Sequence, residues 1–422
     1  MTTGTPSVFG GRADLFRKVI RWGLCAWGLF QPLSIAGASF AIGIVFVGVL
    51  GYWASSRSLP SLRTPLEKPL WMYLAAAALA SVLAVDPGDS LLHMNTEIQK
   101  VVFLYLFIAA FSIDPAPAVL GWWAAGSGAA AVIGLLQVSF WYALGPFPVN
   151  AGPYYKWCEV PRFWEWIWLS YRAHGTISAV TYGEIMGLAL VGGACFAAVR
   201  RRFGAAIGRI PIAFCVLVCL AWAFSGTRGA WLGVFVSLAA LRALTAPRRA
   251  LFEVGGLAIA AGVFMLGMGQ LRNSGALDRI SFTCRFDLWE VSLRMLRDHP
   301  FFGVGIHNFG SMFPQYHSVP YLGNATWGDP HNLYFAQLAE RGLVGFAALV
   351  WLLGAMVYQA WTRFRRSGSF LSLWCLTWLL GFLVMNLTES AFQVAMLWMP
   401  TIILYAWMER AEAELSPTAV KA

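Results

Sequence analysis

Apolar residues run through this chain in blocks separated by short polar punctuation. The blocks lie at 18–35, 36–54, 70–86, 98–113, 118–145, 174–199, 209–225, 229–245, 249–270, 336–361, 369–387 and 391–408. Most approach the ~20 residues that a bilayer-crossing helix needs. The pattern predicts an all-α polytopic integral membrane protein of about 12 transmembrane helices, a single membrane-embedded domain over 1–422. Between the first two blocks, Pro32 and Gly37 predict a tight turn joining two short helices. The first block passes straight into the second, so an anchor rather than a cleaved leader is expected.

Composition agrees with that reading. The chain is 59% hydrophobic and 12% charged, about half the charged share of a soluble domain. Its 21 Trp and 13 Tyr suit membrane interfaces, and its 42 Gly suit close helix packing. A net charge of +10 does not imply nucleic acid, because the basic residues are scattered over short loops and form no stripe. Membrane lipids are the expected surroundings.

Charge placement predicts topology. An even number of spans puts both termini on one side. With that side in the cytoplasm, most of the 30 Lys and Arg fall in or beside cytoplasmic segments, for example Arg200, Arg201, Arg202 and Arg363, Arg365, Arg366. Two long segments, 146–173 and 271–335, then emerge on the outer, periplasm-like face. All six histidines (His93, His174, His299, His307, His317 and His331) fall there or close by, four of them in 271–335. Exclusion from hydrocarbon explains their absence from spans, but not their concentration in one loop. Five cysteines lie inside spans, where they act as small apolar residues. Cys158 and Cys284 occupy the two outer loops, where an oxidising compartment would permit a disulfide.

Within the long loop, CRFDLWEVSLRMLRDHP predicts an amphipathic helix with Phe286, Trp289, Leu293 and Leu296 at helical spacing and Arg285, Arg294 and Arg297 on other faces. It should stop at His299-Pro300 and form a lid with Arg285 as its working residue. In GDPHNLYFAQLAERGLVG, Asp329 is the expected N-cap and Pro330 the first helical residue, with Gly342 a stop or interruption. His331 would then sit in the first turn, where the helix dipole favours a neutral imidazole that can accept a proton. Asp329 pulls the other way.

Ionisable residues at membrane depth are functional candidates by default. Arg228 sits in the short hairpin SGTRGAWLG. Arg172 and His174 open another span, and Glu184 lies about three turns deeper with no assigned role. Guanidinium forks match phosphate oxygens bidentately. Several of them around a neutral histidine at the outer face imply a lipid-linked phosphate substrate. No acidic cluster suggests a bound divalent cation there.

These motifs resemble the O-antigen ligase (WaaL) family, within the superfamily that includes Wzy-type polymerases and bacterial protein O-oligosaccharyltransferases. The resemblance rests on His331-Asn332, nine residues, then Gly342-Leu343-Val344-Gly345, together with SGTRGAWLG (225–233), RDHPFFGVG (297–305) and HNFG (307–310). It covers about 170–350 by motif. It implies a metal-independent, inverting glycosyltransferase without cofactor, at the periplasmic face of the bacterial inner membrane. The donor would be undecaprenyl-diphosphate-linked O-antigen and the acceptor lipid A–core. His331 would be the general base, with Arg228 and Arg285 holding the diphosphate. Arg172, His174, Asn332, Arg297 and His307 would bind substrate. A polymerase or protein glycosylating activity is the alternative, and a flippase fits less well because the charges gather at one face.

Overall fold

The computed structural model describes residues 8–58, 60–144, 172–202, 204, 206–271, 275–317 and 327–411. Among these residues every regular element is helical, as expected of a polytopic membrane protein. Each predicted apolar block coincides with a helix, although several boundaries move. Five helices are long and apolar enough to cross a membrane: Ile35–Ser56, Pro87–Ile113, Ala118–Phe140, Ala179–Arg202 and Leu333–Ser367. Shorter apolar helices cover Arg209–Phe224, Phe252–Gly267 and Phe370–Met385. The chain forms two compact units, 1–60 with 109–234 and 410–422, and 61–108 with 235–409.

The first unit packs α1 (Val8–Phe30) against α2 (Ile35–Ser56) and α5 (Ala118–Leu144), and α6 (Ala179–Arg202) against α7 (Arg209–Phe224). The α1–α2 turn is capped by Ser34, whose hydroxyl accepts from Gly37 N at 3.1 Å, so Gly37 belongs to α2 rather than to the expected turn. Helix crossings use glycine for close approach. A Cβ on Gly126 would lie 2.2 Å from the carbonyl oxygen of Leu29.

The second unit contains α3 (Glu67–Val82), most of α4 (Pro87–Ile113) and of α8 (Arg228–Thr245), and α9 (Pro247–Leu271). It continues with α10 (Gly275–Asp298), α11 (Phe309–Tyr316), α12 (Leu333–Ser367), α13 (Phe370–Met385) and α14 (Ala395–Ala411). Helix α10 ends where the His-Pro pair predicts. Its buried face, however, is Cys284, Leu288, Val291 and Met295, packed with Val304, Phe309, Met312, Phe313 and Ala339. Of the stripe read from spacing, Phe286 and Leu293 are about half exposed, whereas Trp289 packs against this cluster. The helix carries two neighbouring apolar stripes, and spacing alone does not say which one meets the core. Buried Cys284 has its thiol pushed up to about 11 by desolvation. Its suggested partner Cys158 lies outside the described residues, as does all of 146–173 except Arg172 and Ala173.

Helix α12 breaks at Gly342, whose φ of 60° and ψ of −163° are non-helical. A break leaves backbone donors and acceptors unpartnered, which apolar surroundings penalise. The 300–305 loop takes them up. Val304 N and Gly305 N donate to the carbonyls of Ala339 and Glu340 (both 2.9 Å), and the carbonyls of Pro300 and Phe301 accept from Leu343 N and Val344 N (2.8 and 3.2 Å). The backbones approach so closely that a Cβ on Gly342 would lie 2.4 Å from the Phe301 carbonyl carbon. This pairing explains why the Gly-rich loop and the Gly-x-x-Gly segment occur together. Gly342→Ala should destabilise the protein by ~1–3 kcal/mol through backbone strain and by a similar further amount, ~1–3 kcal/mol, through overpacking. A thermal midpoint equal to wild type in detergent would contradict the pairing.

Candidate functional site

The Asp-Pro pair occurs twice, with two outcomes. At α4, Asp86 accepts from Asp89 N at 3.1 Å and caps the helix that begins at Pro87. At α12 the same dipeptide does not cap. Asp329 Oδ1 accepts from His331 N at 2.5 Å and from Ser390 Oγ at 2.9 Å, while Asn332 is the N-cap, accepting from Tyr334 N and Phe335 N. His331 therefore precedes α12, in left-handed backbone with φ 52°, and is not in its first turn. The expected dipole effect does not govern its protonation.

A carboxylate does. Residues 386–390, after α13, clasp the start of α12: Asn332 Nδ2 donates to Leu387 O at 2.8 Å, and Leu333 N donates to Asn386 O at 2.9 Å. That clasp brings Glu389 beside the histidine. One carboxylate oxygen lies 3.6 Å from His331 Nδ1, and the other accepts from Arg285 Nη2 at 3.0 Å. The histidine side chain is 41% exposed, and those of Glu389 and Arg285 are 19% and 25% exposed. Glu389 holds the imidazole pKa above its ordinary value. Desolvation and Arg285 oppose the shift, and Asp329 adds to it. Burial also raises the Asp329 carboxyl. Aromatic rings frame the site. Trp289 Nε1 donates to Pro330 O at 3.2 Å and its ring stacks on Phe335 at 5.2 Å, while Trp327 meets the His331 ring edge-on at 6.0 Å.

The structure thus joins His331, Arg285 and Asn332 in one cluster, and adds Glu389, Asp329 and Ser390, which the sequence reading missed. Glu389 left a faint signal, as the one acidic residue in the polar break between two apolar blocks. Arg297, twelve residues along α10 from Arg285, is exposed and pairs with Asp298 at 3.4 Å. That separation is ~18 Å of helix rise, so Arg297 does not join the Glu389 cluster. His307 instead faces Asp89 and His93.

Arg228, Arg172 and His174 belong to the first unit. Arg172 Nε donates to Ser225 O at 2.6 Å and its Nη2 to Thr227 Oγ1 at 3.0 Å, which fixes this segment against the 225–227 turn. His174 is buried beside Gln137, whose Oε1 accepts from His174 N at 3.2 Å. Arg228 is the first residue of α8 and is exposed. A cation at a helix N-terminus opposes the dipole by ~0.3–1 kcal/mol, so helix stability does not account for it. Glu184 is buried within α6.

At the far end of the helical segment that follows His331 lies a second polar cluster that the sequence reading passed over. Arg341, last before the Gly342 break, donates to Glu97 Oε1 at 2.6 Å and to Tyr73 Oη at 2.9 Å. Tyr73 donates to Glu97 Oε2 at 2.7 Å, and Lys100 Nζ lies 2.9 and 3.0 Å from the two Glu97 oxygens. Charges within apolar blocks were the available signal.

Comparison with known proteins returns two findings. A protein of Haemophilus influenzae described as uncharacterized is 26% identical over 156 residues, covering 32% of this chain and 39% of the relative. The chain thus spans well under half of that relative's length. Residues 213–350, which hold Arg228, Arg285, His331 and the Gly342 break, match the family model Wzy_C, O-Antigen ligase, in keeping with the O-antigen ligase superfamily.

Proposed function

We propose that the protein is an O-antigen ligase. It would transfer a finished polysaccharide from undecaprenyl diphosphate to a sugar of lipid A–core at the periplasmic face of the inner membrane, with twelve spans and cytoplasmic termini. The observation that carries this reading is the Glu389 carboxylate held between His331 and Arg285, the last two of which lie inside the segment that matches the ligase family. A polymerase, with a lipid-linked chain as acceptor, would use the same groups.

In this mechanism the acceptor hydroxyl attacks the anomeric carbon as its bond to the diphosphate breaks. With Nδ1 directed at Glu389, His331 receives the hydroxyl proton on Nε2. The bonding pair leaves on the diphosphate oxygen, and one displacement inverts the anomeric centre. Glu389 orients the ring and favours the imidazolium that forms. Arg285 spends one donor on Glu389 and keeps others for the leaving group. Because that ion pair is neutral as a unit, further positive charge is required, and Arg228, with Arg172 as a weaker third, is assigned to the diphosphate on residue chemistry. His174 is assigned to substrate binding on residue chemistry, while Asn332 would serve the substrate by capping α12 and so holding His331 in position. Base and guanidinium chemistry of this kind needs no metal, and transfer that persists in EDTA is the expected result.

The carboxylate's role sets a pH test. Because Glu389 raises the His331 pKa, the wild-type rate should fall as pH drops through that raised value, where the base becomes protonated. Glu389→Gln should move the acid limb to lower pH and lower the plateau by ~10-fold or more, within the ~10²–10⁴-fold of a general base. An unmoved acid limb would remove Glu389 from the mechanism. By the same linkage, His331 contributes stability at acid pH that is lost as pH rises through its folded pKa.

A further inference from the structure

The histidine that the sequence reading placed with substrate belongs to a different constellation. Asp89 and His93 stand four residues apart at the start of α4 and so share one helix face. His307 comes from the loop before α11. Its Nδ1 lies 2.9 Å from Asp89 Oδ2, and His93 Nδ1 lies 3.4 Å from Asp89 Oδ1. The two imidazoles stack at 3.6 Å with 16° between planes. Imidazole is a common ligand of first-row transition metals.

The loop around His307 is braced to keep it there. His307 adopts left-handed backbone with φ 67°, uncommon for a residue other than glycine and found where surroundings over-determine it. Ser90 Oγ donates to Ile306 O at 2.8 Å, Asn308 Nδ2 donates to Asp86 O at 3.3 Å and to Val304 O at 3.0 Å, and Val85 N donates to Val304 O at 2.9 Å. Gly305 packs so tightly that a Cβ would sit 2.2 Å from Ala84 Cβ. One ligand atom from each of the three groups falls within 4.8 Å of the others. All three side chains are partly exposed, at 38% for Asp89 and His93 and 59% for His307. They can therefore close onto an ion at Zn–N and Zn–O bond lengths of ~2.0–2.2 Å.

We infer that Asp89, His93 and His307 form a binding site for a divalent first-row transition ion, stapling the 306–308 loop to the start of α4. Two imidazoles and one carboxylate suit Zn²⁺, Cu²⁺ or Ni²⁺ rather than Mg²⁺ or Ca²⁺, which take oxygen ligands. The site stands independently of the proposed transfer reaction.

Titration of the full chain in detergent with Zn²⁺, and Cu²⁺ titration followed by electron paramagnetic resonance, test it. Wild type should take up one equivalent that excess Mg²⁺ does not displace, with nitrogen hyperfine structure from imidazole. His307→Asn, which keeps a residue tolerant of left-handed backbone, and His93→Gln should each weaken uptake by more than the ~10-fold that loss of an outer-shell partner causes. Their melting temperatures without metal should stay near wild type. No saturable uptake, or equal affinity in both variants, would overturn the assignment.

Discussion

Replacing His331 with alanine should abolish glycan transfer, with a rate loss of ~10²–10⁴-fold, while the protein stays folded in the membrane. The substitution spares the structure around it. The backbone N–H at 331 still donates to Asp329, the α12 cap is made by Asn332, and the clasp from residues 386–387 involves Asn332 and Leu333. What is lost is an imidazole with 41% of its side chain exposed beside Glu389. Removing it leaves Arg285 and Glu389 paired, so no stranded buried charge confuses the result. At a pH above the His331 pKa, the purified variant should melt only slightly below wild type, the small cost being alanine in left-handed backbone, and should differ from it in transfer. A variant with near-normal turnover would take the histidine out of the mechanism.

The largest stability effect is expected at Glu97. Among the described residues its carboxylate is the one anion in direct contact with both Lys100 and Arg341, and all three side chains are at least 96% buried. Glu97→Gln keeps the shape and most hydrogen-bonding capacity but leaves two buried cations facing each other. Breaking a buried pair by removing one partner destabilises by ~3–5 kcal/mol. The effect should reach the site, because Arg341 ends the short helical segment that begins just after His331 and precedes the Gly342 break. Adding Lys100→Met to Glu97→Gln restores the original net charge and should recover part of the loss. If the single variant melts with wild type, or the second substitution worsens the melt, the cluster is not held by charge balance.

The fold was legible wherever one local rule decides. Apolar block length marked the helices, the His-Pro pair ended α10 at Asp298, and Gly342 marked the interruption of α12. Local rules failed where distant segments compete for the same groups. Asp329 has the chemistry of a cap, as Asp86 shows at α4, but Ser390 and the His331 N–H hold its oxygen, so Asn332 takes the role. The inward face of α10 depends on what packs on it, which helical spacing does not encode. At the site, His331 and Arg285 were readable as residue types in a polar loop. Glu389 becomes their partner only when the end of α13 folds over the start of α12, a contact across 58 positions with no periodicity to announce it.

The most direct measurement supplies the purified protein with an undecaprenyl-diphosphate-linked glycan and lipid A–core in EDTA, beside the His331→Ala and Glu389→Gln variants. The proposed site predicts glycan-labelled lipid A–core from wild type, none from the histidine variant, and slower labelling from the glutamine variant with its acid limb displaced. Labelling that persists without His331, or glycan that lengthens on the lipid carrier while lipid A–core stays unmodified, would contradict it.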